Sequence, residues 1–100
     1  MFVVLLKFSD NKAQAGALMD GHKAWIQRGF DDGVFALAGS LQPPQGDGQG
    51  GGGIVAHNTS RADLETRVAA DPFVAEDVVR AEIVEMTPSR AEARLQFLLG

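Results

Sequence analysis

Phe2 to Phe8 is apolar at every position except Lys7 and is rich in β-branched and aromatic residues. Seven residues of that kind fit a buried strand better than a helix. Ser9, Asp10 and Asn11 then offer helix-capping chemistry. From Lys12 to Asp32 the period changes: Ala15, Leu18, His22, Trp25 and Gly29 step by three and four, which places them on one face of a helix. Ile26 and Phe30 widen that stripe, while Asp20, Lys23, Gln27 and Asp31 fall on or near the opposite, solvated side. Gly33 stands where a C-terminal cap belongs.

Val34 to Leu41 returns to strand character and Pro43-Pro44 closes it. Gln45 to Gly53 is almost all Gly, Gln and Asp and reads as a mobile loop. Ile54 to His57 is a short third strand, adjacent in sequence to the second and expected to pair with it as a hairpin. Ser60 caps a second helix, with Asp63 three residues on and Leu64 and Val68 pointing inward. Pro72 stops that helix, and Asp71-Pro72 can cap one further short turn carrying Phe73 and Val74 inward. Val78 to Met86 is a fourth strand ended by Pro88.

The order β-α-β-β-α-β predicts an α+β, ferredoxin-like domain over residues 1–88. In it, a four-stranded antiparallel sheet carries two helices on one face. The first strand is apolar at odd and even positions alike, so its other face also needs cover. A second copy packed face to face supplies that, which predicts a homodimer and leaves higher assembly open. In the tail, 89–100, Leu95, Leu98 and Leu99 stand at helical spacing with Phe97 nearby, an amphipathic segment suited to docking on a partner subunit.

Composition narrows the function classes. One hundred residues make one domain, and 45% hydrophobic content is more than its modest core needs, which again favours self-association. The absence of cysteine favours a reducing compartment, and the first residues lack the pattern of a signal peptide. No stretch approaches the roughly 20 apolar residues that span a bilayer. A cytoplasmic protein is expected. With a net charge of -4, scattered Lys and Arg and no stacking aromatics, nucleic acid is an unsuitable partner, and a small molecule is the expected one.

Few residues carry candidate chemistry. Gly46-x-Gly48-x-x-Gly51 matches the dinucleotide fingerprint in letters but follows prolines and leads into a strand, so no cofactor is expected there. Two histidines and no cysteine make a poor metal site. His22, on an inward helix face, needs a hydrogen-bond partner; it is either a structural histidine or an acid/base group. Asp71 is either a helix cap or a catalytic carboxylate. Ser40, after Gly39 at the end of the second strand, is a hydrogen-bonder without a nucleophile-elbow pattern.

A strand opening Met1-Phe2-Val3-Val4-Leu5-Leu6, His22 in the first helix, Gly39-Ser40, Asp71-Pro72-Phe73 and a strand ending in Thr87-Pro88 together resemble the YciI-like (YCII-related) family. The resemblance covers about residues 1–88. It implies the dimeric α+β barrel superfamily and a pocket between sheet and helices. It also implies that His22 and Asp71 form a catalytic dyad, with Ser40 a pocket neighbour. Relatives include a dehydrochlorinase of a chlorinated hydroxyquinol, and the superfamily includes muconolactone isomerases and monooxygenases. The long Gly-rich loop and the tail depart from the family pattern.

The expected function is therefore a cofactor-independent enzyme of isomerase, lyase or dehydrohalogenase type, acting on a small cyclic or aromatic compound. His22 and Asp71 would be its acid/base pair, with Ser40, Gly39, Trp25 and Phe73 lining the pocket. The alternative is a non-catalytic dimeric metabolite-binding or accessory protein.

Overall fold

The computed structural model describes residues 1–42 and 50–99. Strands β1 (Phe2–Phe8), β2 (Phe35–Leu41), β3 (Gly51–Ala56) and β4 (Val79–Glu85) form one sheet in the order β2-β3-β1-β4. Every neighbouring pair is antiparallel. Helix α1 (Ala15–Asp31) joins β1 to β2, while α2 (Arg61–Ala69) and α3 (Pro72–Ala75) join β3 to β4. This is the ferredoxin-like order the hydrophobic pattern predicts.

Register explains which residues form the core. Val4 lies opposite Ile54 on one side and Ile83 on the other. Phe2, Val4 and Leu6 are buried against the helices, as are Ile54, Ala56, Phe35 and Val79 from the other strands. From the helices come Trp25, Leu64, Val68 and Phe73. Each fully buried side chain of this size contributes about 1.5–3 kcal/mol. Alternation puts Val3, Leu5, Leu37, Val55 and Val84 on the reverse face. There Leu37 and Val84 stand 64% and 43% exposed.

Local chemistry sets the element ends. Ser60 accepts from the Asp63 N–H at 3.1 Å, the expected cap of α2. Gly33 ends α1 at φ +74°, a conformation that suits glycine, and its N–H reaches the Phe30 carbonyl. The Ser9–Asn11 segment differs from expectation. Its side chains do not cap α1, which is entered through a 3-10 turn at Lys12–Gln14. Instead the Ser9 hydroxyl donates to the Asp77 and Val78 carbonyls, and the Asn11 amide donates to Asp77. The chemistry expected to start a helix here ties the end of β1 to the turn before β4.

The third strand also begins earlier than the pattern implies. Gly51, Gly52 and Gly53, expected in the loop, pair with Lys7, Leu6 and Leu5 of β1. Glycine carries no hydrophobic signal, so alternation could not reveal them. At Gly51 a Cβ would stand 1.9 Å from the Leu6 carbonyl oxygen, so the close approach of the two backbones requires glycine. Residues 46 and 48 of the dinucleotide-like motif lie outside the described residues, and Gly51 is the first residue of β3. The tail forms a 3-10 segment at Ala93–Leu98, with the Phe97 ring 5.3 Å from His57 and 52% exposed.

Helix α1 approaches β2 closely at Gly29, where a Cβ would come within 2.1 Å of the Phe35 ring. That ring is itself wedged between Trp25 and Phe30, at 5.2 and 6.1 Å between centroids. Gly29→Ala is therefore expected to destabilise the fold by about 1–3 kcal/mol through overpacking. Gly16→Ala, with open space around it, is expected to stabilise by up to about 1 kcal/mol. Urea denaturation of the two variants checks both signs.

Candidate active site

Helix α2 ends at Ala69 and the chain turns at once into α3. Asp71 makes that turn possible. Its backbone is extended (φ -63°, ψ 126°), its Oδ1 accepts the Phe73 N–H at 3.0 Å, and Pro72 occupies the first helical position, where no N–H is needed. The same Oδ1 lies 2.8 Å from Nδ1 of His22 on α1. Asp71 is fully buried and the His22 side chain is 13% exposed. The structural and functional readings of Asp71 thus describe one oxygen atom.

A buried carboxylate is costly unless its oxygens are paired. Oδ1 has two partners, but Oδ2 is buried with none among the described residues. An Nδ1–H donating to Asp71 leaves the Nε2 lone pair as the free basic atom of the ring. No hydrogen bond to Nε2 occurs among the described residues. The ring plane is fixed by Phe73, stacked at 4.0 Å and 3° from parallel.

His22 borders a cavity of about 610 Å³ between α1 and the sheet, the size of a small-molecule site. Met19, His22, Lys23, Ile26 and Phe30 supply the α1 wall. Ala38 to Leu41 and Gly50 to Ile54 supply the sheet side, with Leu6, Phe8, Phe73 and Val79 completing it. Ser40 and Gly39 are therefore brought to the same space as His22, as expected, and so is Phe73. Asp71 does not border the cavity itself; both of its hydrogen-bond partners, His22 and Phe73, do.

Trp25 departs from expectation and does not border this cavity. It is buried on the other flank of α1, with its indole N–H donating to the Arg67 carbonyl at 2.9 Å. Its ring centroid lies 5.9 Å from that of His22, so it backs the histidine instead of walling the pocket. Lys23, expected on the solvated side, is the residue missed. The signal was a second stripe, 19-22-23-26-30, beside the 18-22-25-29 stripe that feeds the core. His22 belongs to both.

Gly52 explains why the cavity exists. Paired with Leu6 and Ser40, it sits on the helix-facing side of β3, where another residue would project a side chain into this space. A Cβ there would meet only the Gly39 carbonyl, at an ordinary 3.6 Å, so backbone packing does not demand glycine. What glycine supplies at this position is room. Gly52→Val is accordingly expected to fold with a melting temperature within a few degrees of the parent and to lose small-molecule binding. Thermal unfolding with and without ligand separates the two effects.

Among the described residues no group of three or more His, Cys, Asp or Glu side chains could hold a metal ion, and no helix is long and apolar enough to cross a membrane.

Comparison with known proteins agrees with this geometry at the level of fold. A solved structure of 5-chloro-2-hydroxyhydroquinone dehydrochlorinase from Burkholderia phenoliruptrix AC1100, in complex with 2,5-dihydroxybenzoquinone, superposes with a TM-score of 0.68. It is 14% identical, and the match covers 85% of this chain and 91% of that one. No curated protein sequence matches the chain. The YCII-related domain, by contrast, matches residues 1–87, nearly the whole described sheet-and-helix unit, and the chain belongs to that family.

Proposed function

We propose that this protein is a cofactor-independent enzyme that uses His22 and Asp71 for acid/base chemistry on a small cyclic or aromatic compound. The observation that carries the reading is the 2.8 Å contact from His22 Nδ1 to Asp71 Oδ1, made by a histidine that borders a cavity and whose Nε2 has no hydrogen bond among the described residues. Asp71 holds the ring in the tautomer that bears the proton on Nδ1. Nε2 takes a proton from a substrate hydroxyl, or from carbon beside a carbonyl, and the carboxylate stabilises the imidazolium that results. Returning the proton elsewhere gives isomerisation; loss of a leaving group gives a lyase or dehydrohalogenase. Ser40 and the Gly39 backbone are polar contacts available to the substrate, and Phe73 is apolar wall.

The dehydrochlorinase named above acts on a compound of this kind, which makes 5-chloro-2-hydroxyhydroquinone the first substrate to try. Chloride release and product absorbance report turnover. His22→Gln keeps a donor for Asp71 but cannot cycle a proton, and is expected to lower kcat about 10²–10⁴-fold. Asp71→Asn retains an oxygen for the Phe73 N–H, so the fold is expected to survive while kcat falls in the same range. Saturable binding without product, with His22→Gln altering affinity alone, would instead make the protein a metabolite-binding or accessory module.

The same reading includes a homodimer in the cytoplasm. Support comes from the reverse face of the sheet, where Leu37, Val84 and Met86 are 64%, 43% and 48% exposed beside half-buried Val3, Leu5 and Val55. A contiguous apolar face of this kind favours burial against a second copy. The 89–100 tail, with Leu95 and Leu99 exposed, would dock at that interface. Leu37→Glu is expected to shift the protein from dimer to monomer in size-exclusion chromatography with light scattering. An unchanged mass would remove this face from the assembly.

A further inference from the structure

The cavity has an uneven distribution of charge. Its walls are mostly apolar: Met19, Ile26 and Phe30 from α1, Leu6 and Ile54 from the sheet. Among the described residues that border it there is no Asp or Glu. Asp71 is screened behind His22. Among the same described residues the one lysine or arginine is Lys23, next to His22 in sequence and one turn from Met19 and Ile26 on the same stripe. Its ammonium has no hydrogen bond or ion pair with any described residue, and no described carboxylate approaches within 4.0 Å. Arg67 and Arg61, by comparison, are engaged with Asp32 and Glu65.

An apolar slot whose described lining holds one uncommitted cation and no acid suits a ligand with an apolar body and one negative group. The glycine floor of β3 makes that slot flat on the sheet side. We infer that Lys23 is the specificity-determining residue of this cavity: it recognises a carboxylate or phenolate on a planar ring and thereby selects organic anions over neutral analogues. The inference deepens the proposed function and rests on this cavity being the substrate site. With the anion held by Lys23, the ring lies over Gly52 within reach of Nε2 of the neighbouring His22. Lys23 orients the substrate and takes no part in proton transfer.

Benzoate and benzamide share shape and differ in charge, so they isolate this term. Calorimetric titration of the full-length protein is expected to show benzoate binding about fivefold more tightly than benzamide at low salt, the size of one partly exposed charge pair. Lys23→Met keeps the aliphatic stem and is expected to abolish that preference while leaving benzamide affinity unchanged. Lys23→Arg is expected to retain it. Lys7→Met, which removes the same charge from the reverse face of the sheet, is expected to change nothing. An equal affinity of the parent for both probes, no binding of either, or a preference that survives in Lys23→Met overturns the assignment. Because the readout is binding, a catalytically inert protein that still prefers benzoate would sink the dyad mechanism and leave the Lys23 assignment standing.

Discussion

Asp71 Oδ1 accepts hydrogen bonds from two separate elements, the Phe73 N–H at the start of α3 and the imidazole of His22 on α1. Few atoms in the molecule join so much. The first bond turns the chain sharply after α2 and brings Phe73 inward; the second fixes how α1 faces that turn. Phe73 in turn stacks on the His22 ring, so the three residues form a closed set in which each orients the next. A carboxylate this buried would be a liability in an ordinary core, and here one of its oxygens has no described partner. The fold keeps it because the helix junction and the histidine depend on the same group.

Much of this was legible in the sequence, for identifiable reasons. Strand β1 announces itself through an apolar run broken only by Lys7, and α2 through the Ser60 cap and the Leu64–Val68 stripe. The β-α-β-β-α-β order follows from changes of period that side chains impose. His22 and Asp71 could be named as candidates because an inward-facing imidazole and an Asp-Pro step each require a partner. That they are each other's partner lay 49 residues apart in sequence, beyond what local spacing can express; the family resemblance supplied it. A helix cap and a contact to His22 look like rival roles for Asp71 only because sequence cannot show that one oxygen makes both bonds.

What stayed hidden has a common cause. Hydrophobic periodicity detects side chains that are buried, and it is blind to positions whose role is to be empty or only half-covered. Gly51–Gly53 looked like loop because strand pairing there is carried by backbone alone. Lys23 looked like solvent-facing helix because a long cationic side chain can border a cavity while remaining exposed. Trp25 and His22 lie on one predicted stripe, but the indole fills the core on the other flank of α1. The two faces of α1 share His22, and one stripe obscured the other.

The near-parallel stack of Phe73 on His22 has a consequence for the handedness of any reaction at this site. A ring clamped on one face and tethered at Nδ1 cannot turn over to present its other edge, so Nε2 meets a bound molecule from one direction only. In the proposed chemistry a proton lifted by that nitrogen would be set down again from the same side. In an isomerisation carried out this way, hydrogen would migrate across a single face of the substrate. Part of an isotopic label would travel with it before exchanging with solvent, a stereochemical record of how one aromatic side chain packs.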